Sequence, residues 1–153
     1  MTLGMTALNR RDVLRAAGVG VAAAMLPGTS FASADLVAAE VKKVFGGKPI
    51  KDGKINLDVP SIAENGLVVP LSFEVQSPMS DADFVKQVHI FAEGNPNPLV
   101  AAFHFTSMMP KAAGQIRIRL AQTQNVHVYA EMSNGDVYGV KKEVKVTIGG
   151  CGG

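Results

Sequence analysis

Asn125-Val126-His127-Val128-Tyr129-Ala130-Glu131-Met132-Ser133-Asn134-Gly135-Asp136-Val137 reads as one strand, a turn and the start of the next strand. Val126, Val128 and Ala130 alternate with His127, Tyr129 and Glu131. That period of two puts the first set inward and the second outward on a pleated sheet. Asn134-Gly135 is the dipeptide favoured by two-residue hairpin turns, so the chain is expected to fold back antiparallel. The returning strand is predicted from Val137 to Ile148, with Val144, Val146 and Ile148 on its inner face.

The same pattern extends toward the N-terminus. Gln115 to Leu120 places Ile116, Ile118 and Leu120 inward and Arg117 and Arg119 in water. Leu99 to Thr106 carries Ala101, Phe103 and Phe105 on one side, and Gln87 to Glu93 carries Val88, Ile90 and Ala92. Leu67 to Val75 and Ile55 to Val59 alternate likewise, with Pro70 predicted to turn part of its run into an edge or a bulge. Seven short strands with turn signals between them predict an all-β fold, an immunoglobulin-like antiparallel β-sandwich. The disulfide and buried Trp of antibody domains are absent, since the chain has one cysteine and no tryptophan. Ahead of the strands, Leu36 or Val37, Val41, Val44 and Phe45 recur at helical spacing. Asp35 is the N-cap candidate and Gly46-Gly47 the stop, which predicts a short amphipathic helix from Asp35 to Phe45.

Residues 1–34 have the character of an export signal. Asn9-Arg10-Arg11-Asp12-Val13-Leu14-Arg15 sets a twin arginine before an uncharged run from Ala16 to Leu26, and Ala32-Ser33-Ala34 is an A-x-A cleavage triplet. Arg10 and Arg11 point to twin-arginine export; the alternative is a Sec signal that carries two arginines. As a helix the apolar run would span about 16 Å, against about 30 Å of bilayer hydrocarbon, so no permanent membrane anchor is expected. The domain division that follows is a cleaved signal at 1–34, a helix plus β-sandwich at 35–148 and an arm at 149–153. Three of the fifteen cations and one of the thirteen acids precede Asp35, which leaves a body with twelve of each. A neutral body gives no electrostatic case for nucleic acid.

The remaining feature is Gly149-Gly150-Cys151-Gly152-Gly153. Glycine accepts positive and negative φ alike, so the predicted last strand delivers the chain into a thin, adaptable arm. Cys151 is about 10 Å beyond Ile148 when extended, at ~3.3–3.6 Å per residue. A thiol's ordinary pKa of about 8.5 leaves a few per cent thiolate at neutral pH, and no cation in the sequence neighbourhood would raise that share. Cys151 is therefore suited to be a covalent handle worked on by another protein's active site. Two plainer readings are a frayed terminus and an intermolecular disulfide.

Export, size, this arm, and the segments Ala63-Glu64-Asn65-Gly66, Ser77-Pro78-Met79, His89-Ile90-Phe91-Ala92-Glu93 with Asn95-Pro96, Phe103-His104-Phe105 and Ala130-Glu131-Met132-Ser133 together resemble the SoxY family of sulfur carriers. The resemblance implies a periplasmic protein in which Cys151 carries thiosulfate-derived sulfur, flanked by the arm residues Gly149, Gly150, Gly152 and Gly153. It implies a SoxZ-like β-sandwich subunit in a heterodimer or heterotetramer. Transient partners would be a haem c SoxAX protein, a SoxB hydrolase and a sulfur dehydrogenase. It also implies a carrier rather than an enzyme, with no metal or cofactor of its own.

Other residues support weaker readings. His89, His104 and His127 fall on three strands, enough for a three-His metal site, but without short ligand spacing they are expected as separate surface or boundary residues. Met79, Met108, Met109 and Met132 would suit soft copper ligation, against a packing or contact role. A metal chaperone and a purely structural interaction module are thus the alternatives to a carrier.

Overall fold

The computed structural model describes residues 33–148. Helix α1 spans Ser33–Phe45, followed by β1 (Ile50–Asp52), β2 (Ile55–Asp58), β3 (Ile62–Asn65), β4 (Val69–Val75), β5 (Val85–Ala92), β6 (Leu99–His104), β7 (Ala112–Ile118), β8 (Gln124–Met132) and β9 (Val137–Ile148). The strands form two sheets. One runs β1-β9-β8-β5-β6 with β3 also paired to β9, and the other runs β2-β4-β7.

The β-sandwich is as expected, with nine strands rather than seven. The two additions, β1 and β3, are three and four residues long and lie parallel to β9, so the sheet is not purely antiparallel. Neither segment is long enough to display an alternating pattern. The core forms where inward faces meet: Val88, Ile90, Val126, Val128, Ala130 and Val144 from the large sheet against Leu57, Val69, Leu71, Phe73, Val75 and Ile118 from the small one. Pro70 lies inside β4, the middle strand of its sheet. Strand β2 pairs only as far as Ser72, so at Pro70 a partner is present on the β7 side alone and the missing N–H is tolerated there.

The β8–β9 turn is longer than a two-residue hairpin. Glu131 pairs with Val137, the Met132 N–H donates to the Asp136 carbonyl, and only Gly135 has positive φ, at 89°. A two-residue type I′ turn needs positive φ at both central positions; here the strands close around Ser133-Asn134-Gly135, with glycine supplying the left-handed residue. The Asn134 side chain accepts from the Asp136 N–H instead.

Helix α1 starts two residues before its expected N-cap, so Asp35 sits in the first turn, where a carboxylate favours the positive end of the helix dipole. It ends as expected at Gly46 and Gly47, both at positive φ. Its stripe Val37, Val41 and Phe45 packs on Phe91 and Val137 of the large sheet's outer face. Burying a side chain such as Phe45 contributes about 1.5–3 kcal/mol, which supplies the docking a helix of this length needs.

That docking corrects an expectation. His127 and Glu131 point outward from the sheet but are buried, as is His89, while His104 is exposed. The outer face of β5 and β8 lies in part beneath α1, so outward does not mean solvated. Arg117 and Arg119 are exposed, as alternation predicts.

Candidate carrier arm and its root

Cys151, Gly149, Gly150, Gly152 and Gly153 lie outside the described residues, as do Arg10 and Arg11. The structure does describe the place from which the arm departs. Strand β9 is twelve residues long, and its final residues are held on both sides. On one side β3 runs parallel, with Ala63 opposite Val146 and Asn65 opposite Ile148. The Gly66 N–H then donates to the Ile148 carbonyl at 2.9 Å, and the Gly66 carbonyl accepts from the Leu120 N–H at 2.7 Å. On the other side the Val146 N–H donates to Thr123 Oγ1 at 2.9 Å. The chain is therefore fixed by hydrogen bonds as far as Ile148, three residues before the thiol. Val144 and Val146 continue the inner face, but Ile148 on the same alternation has passed the end of the core and is 68 % exposed.

Elsewhere two polar networks lie on the outer face of the large sheet, while buried Gln124 instead accepts from the Gly94 N–H and donates to Asn95 Oδ1. His127 Nε2 donates to Glu93 Oε1 at 2.6 Å, Asn125 donates to Glu93 Oε2, and the Tyr129 hydroxyl meets His127 Nδ1 at 3.1 Å. Burial pushes the Glu93 carboxyl up, but the bonds from Asn125 and His127, with Lys141 nearby, outweigh it and leave the group below its ordinary range. Burial, aided by Glu93, raises Tyr129, which stays a protonated donor rather than a nucleophile. In the second network Lys48 and Gln87 each donate to Glu131 at 2.6 Å. Burial again opposes ionisation, and again these bonds carry the carboxyl below its usual value.

His89 lies beside that network. Its Nε2 faces Gln87 Oε1 at 3.3 Å, Phe45 covers the ring edge-on, and its buried Nδ1 has no partner. A proton added at Nδ1 would find no acceptor. Burial first, and His104 second, lower the His89 pKa against a smaller opposing pull from Glu131. The folded state thus binds fewer protons than the unfolded chain below about pH 6.5, so stability falls as pH drops through that window and is level above it. Glu93 and Glu131 add a further loss below about pH 4.5. We expect the urea midpoint to decline between pH 7.5 and 5.5, and His89→Phe to flatten that decline; parallel slopes for the two proteins would rule out His89 as its source.

Of the sequence-predicted metal candidates, His89 and His104 come together, with ring centroids 6.3 Å apart, while His127 is bonded to Glu93 instead. Among the described residues no group of three or more His, Cys, Asp or Glu side chains is placed to hold a metal ion. Met79 and Met132 are core residues, whereas Met108 and Met109 are exposed in the β6–β7 loop. A groove of about 370 Å³ lined by Val41, Phe45, Ile50 and Tyr129 lies beside α1, and a hollow of about 480 Å³ on the small sheet is lined by Asn56, Asp58, Ser72 and Gln115. Neither includes a residue of the arm root. Alternation missed the two polar networks because it sorts residues by face, not by what covers the face. The available signal was Phe91 and Tyr129, aromatics at outward positions that need cover, together with the apolar stripe of α1.

A family model described as sulfur oxidation protein SoxY matches residues 41–151, the β-sandwich, its arm root and Cys151 included. The chain belongs to the SoxY family. A solved structure of the sulfur carrier protein SoxY from Chlorobium limicola f thiosulfatophilum is 33% identical, with a TM-score of 0.64 over 75% of this chain and 99% of that one. A variant of the superoxide reductase (neelaredoxin) from Ignicoccus hospitalis is 15% identical, with a TM-score of 0.51 over 71% of this chain and 86% of its own, a likeness of fold alone. No curated protein matches the chain in sequence. Among the described residues no helix is long and apolar enough to cross a membrane.

Proposed function

We propose that this SoxY protein is a periplasmic sulfur carrier, exported by the twin-arginine route, on which Cys151 holds thiosulfate-derived sulfur while partner enzymes act on it. The observation that carries the reading is a thiol set between two pairs of glycines, three residues beyond a strand end fixed by hydrogen bonds. A fixed origin with an adaptable extension delivers one sulfur atom to several active sites; a catalytic cysteine would instead need neighbours that stabilise its thiolate.

The chemistry balances as follows. Loss of the thiol proton and an electron pair joins Cys151 Sγ to the outer sulfur of thiosulfate, giving a cysteine S-thiosulfonate, with a SoxAX-type haem c protein as electron acceptor. Water then cleaves the bond to the sulfonate sulfur, releasing sulfate and leaving a persulfide on Cys151, the task of a SoxB-type hydrolase. A haem-bearing sulfur dehydrogenase accepts electrons from the remaining sulfur while water supplies its oxygens, leaving a cysteine S-sulfonate, and hydrolysis of that sulfur–sulfur bond releases a second sulfate and returns the thiol. The protein brings no catalytic group to these steps and is a substrate rather than an enzyme. A SoxZ-like subunit completes the complex.

Whole-protein mass spectrometry of material isolated from thiosulfate-grown cells tests this. Reductant-labile sulfur additions confined to Cys151 are expected. Bare thiol throughout the population would sink the reading.

A further inference from the structure

Eight large apolar side chains are exposed among the described residues, and three of them, Leu67, Val68 and Ile148, belong to the corner where the arm begins. Ile62, on β3 opposite Lys145, projects from the other face of the sheet and is not part of that corner. The bond from Gly66 to the Ile148 carbonyl brings Leu67 and Val68 beside the end of β9. Local hydrogen bonds hold this corner in shape, since the Leu67 N–H donates to Asn65 Oδ1 and Leu120 N–H to Gly66. The exposed charges nearest along the two strands, Glu64 and Lys145, are of opposite sign. An exposed apolar concentration of this kind marks a contact surface.

Chain length says what must come to it. Only Gly149 and Gly150 separate Ile148 from Cys151, so the thiol reaches about 10 Å from Ile148 at most, at ~3.3–3.6 Å per residue. An enzyme whose reacting group is recessed below its surface must then bring that surface closer to Ile148 than the full reach of the arm. Whatever operates on Cys151 therefore has to press the rim of its channel against this corner. We propose that Leu67, Val68 and Ile148 form the docking surface for enzymes that act on the arm, and that it takes a largely apolar channel rim. The inference rests on the carrier reading above.

The test uses the full chain in complex with its partner subunit, carrying Leu67→Asp with Val68→Asp, with Leu67→Ser and Val68→Ser as a milder pair should the first not fold. Loading of Cys151 by thiosulfate and the haem enzyme should show KM raised at least tenfold in the first pair and about threefold in the second, with kcat within a factor of two. Alkylation of Cys151 by iodoacetamide should be unchanged. A six-residue Gly/Ser insert between Ile148 and Gly149 should restore most of the lost kcat/KM by removing the need for close approach. An unchanged KM overturns the proposal, as does a rise in KM accompanied by loss of the partner subunit on size exclusion, which would assign the corner to the subunit interface. Failure of the parent protein to be loaded at Cys151 overturns the carrier reading itself, and the parent control separates that case from the others.

Discussion

Cys151→Ser is expected to reduce thiosulfate-dependent turnover to the level seen without the carrier and to remove every sulfur adduct from the protein, while the melting temperature stays unchanged. The chemistry requires a sulfur–sulfur bond at the attachment atom, and a hydroxyl cannot form one. Unlike loss of a catalytic group, which leaves some residual rate from substrate binding, loss of the attachment atom leaves nothing for the partner enzymes to process. The core gives the reason for unchanged stability: among the described residues every buried apolar side chain lies between Val37 and Val144. The pair of measurements therefore separates chemistry from folding. Residual adducts on the serine variant, found elsewhere in the chain by peptide mapping, would show that Cys151 is not the attachment point.

The alternation of Val126, Val128 and Ala130 against His127, Tyr129 and Glu131 was enough to establish strand and face, because a two-residue period survives wherever one side is a continuous core. It could not say that α1 would cover part of the opposite side. That depends on Phe45 finding Phe91 across a long sequence separation, and no local pattern encodes such a pairing. For the same reason β1 and β3 were illegible: each is defined by the partner it meets on β9. The candidate site divides the same way. The residue proposed to carry the sulfur, Cys151, is proposed from its glycine neighbours alone. The root that aims it, with Gly66 bonded to Ile148 and Thr123 to Val146, emerges only once three segments are brought to one sheet end. Pro70 shows how a local rule stays valid while its consequence changes. Its missing N–H does require a missing partner, but the gap comes from β2 ending early within a middle strand rather than from an outer edge.

Deletion of Gly149 and Gly150 is expected to lower kcat/KM for enzymatic loading of Cys151 at least a hundredfold while leaving alkylation by iodoacetamide within a few fold. With both removed, Cys151 follows Ile148 directly and its reach falls from about 10 Å to about 3.5 Å. Ile148 is anchored through its carbonyl to Gly66, so the lost length cannot be recovered by peeling β9 without breaking that bond and the β3 pairing beyond it. A small reagent comes to the thiol, whereas an enzyme needs the thiol to come to it; only the enzymatic assay therefore responds to reach. Substitution by Ala-Ala keeps the reach and narrows only the accessible backbone conformations, at about 0.5–1 kcal/mol per glycine replaced, so its effect should stay within about thirtyfold. Val-Val, whose β-branched side chains favour continued strand, should fall between the two. Equal losses for Ala-Ala and for the deletion would mean that conformational freedom rather than length governs delivery. A deletion that keeps more than half of the parent's loading rate would mean that the partner enzymes work on Cys151 at the sheet end and need no arm.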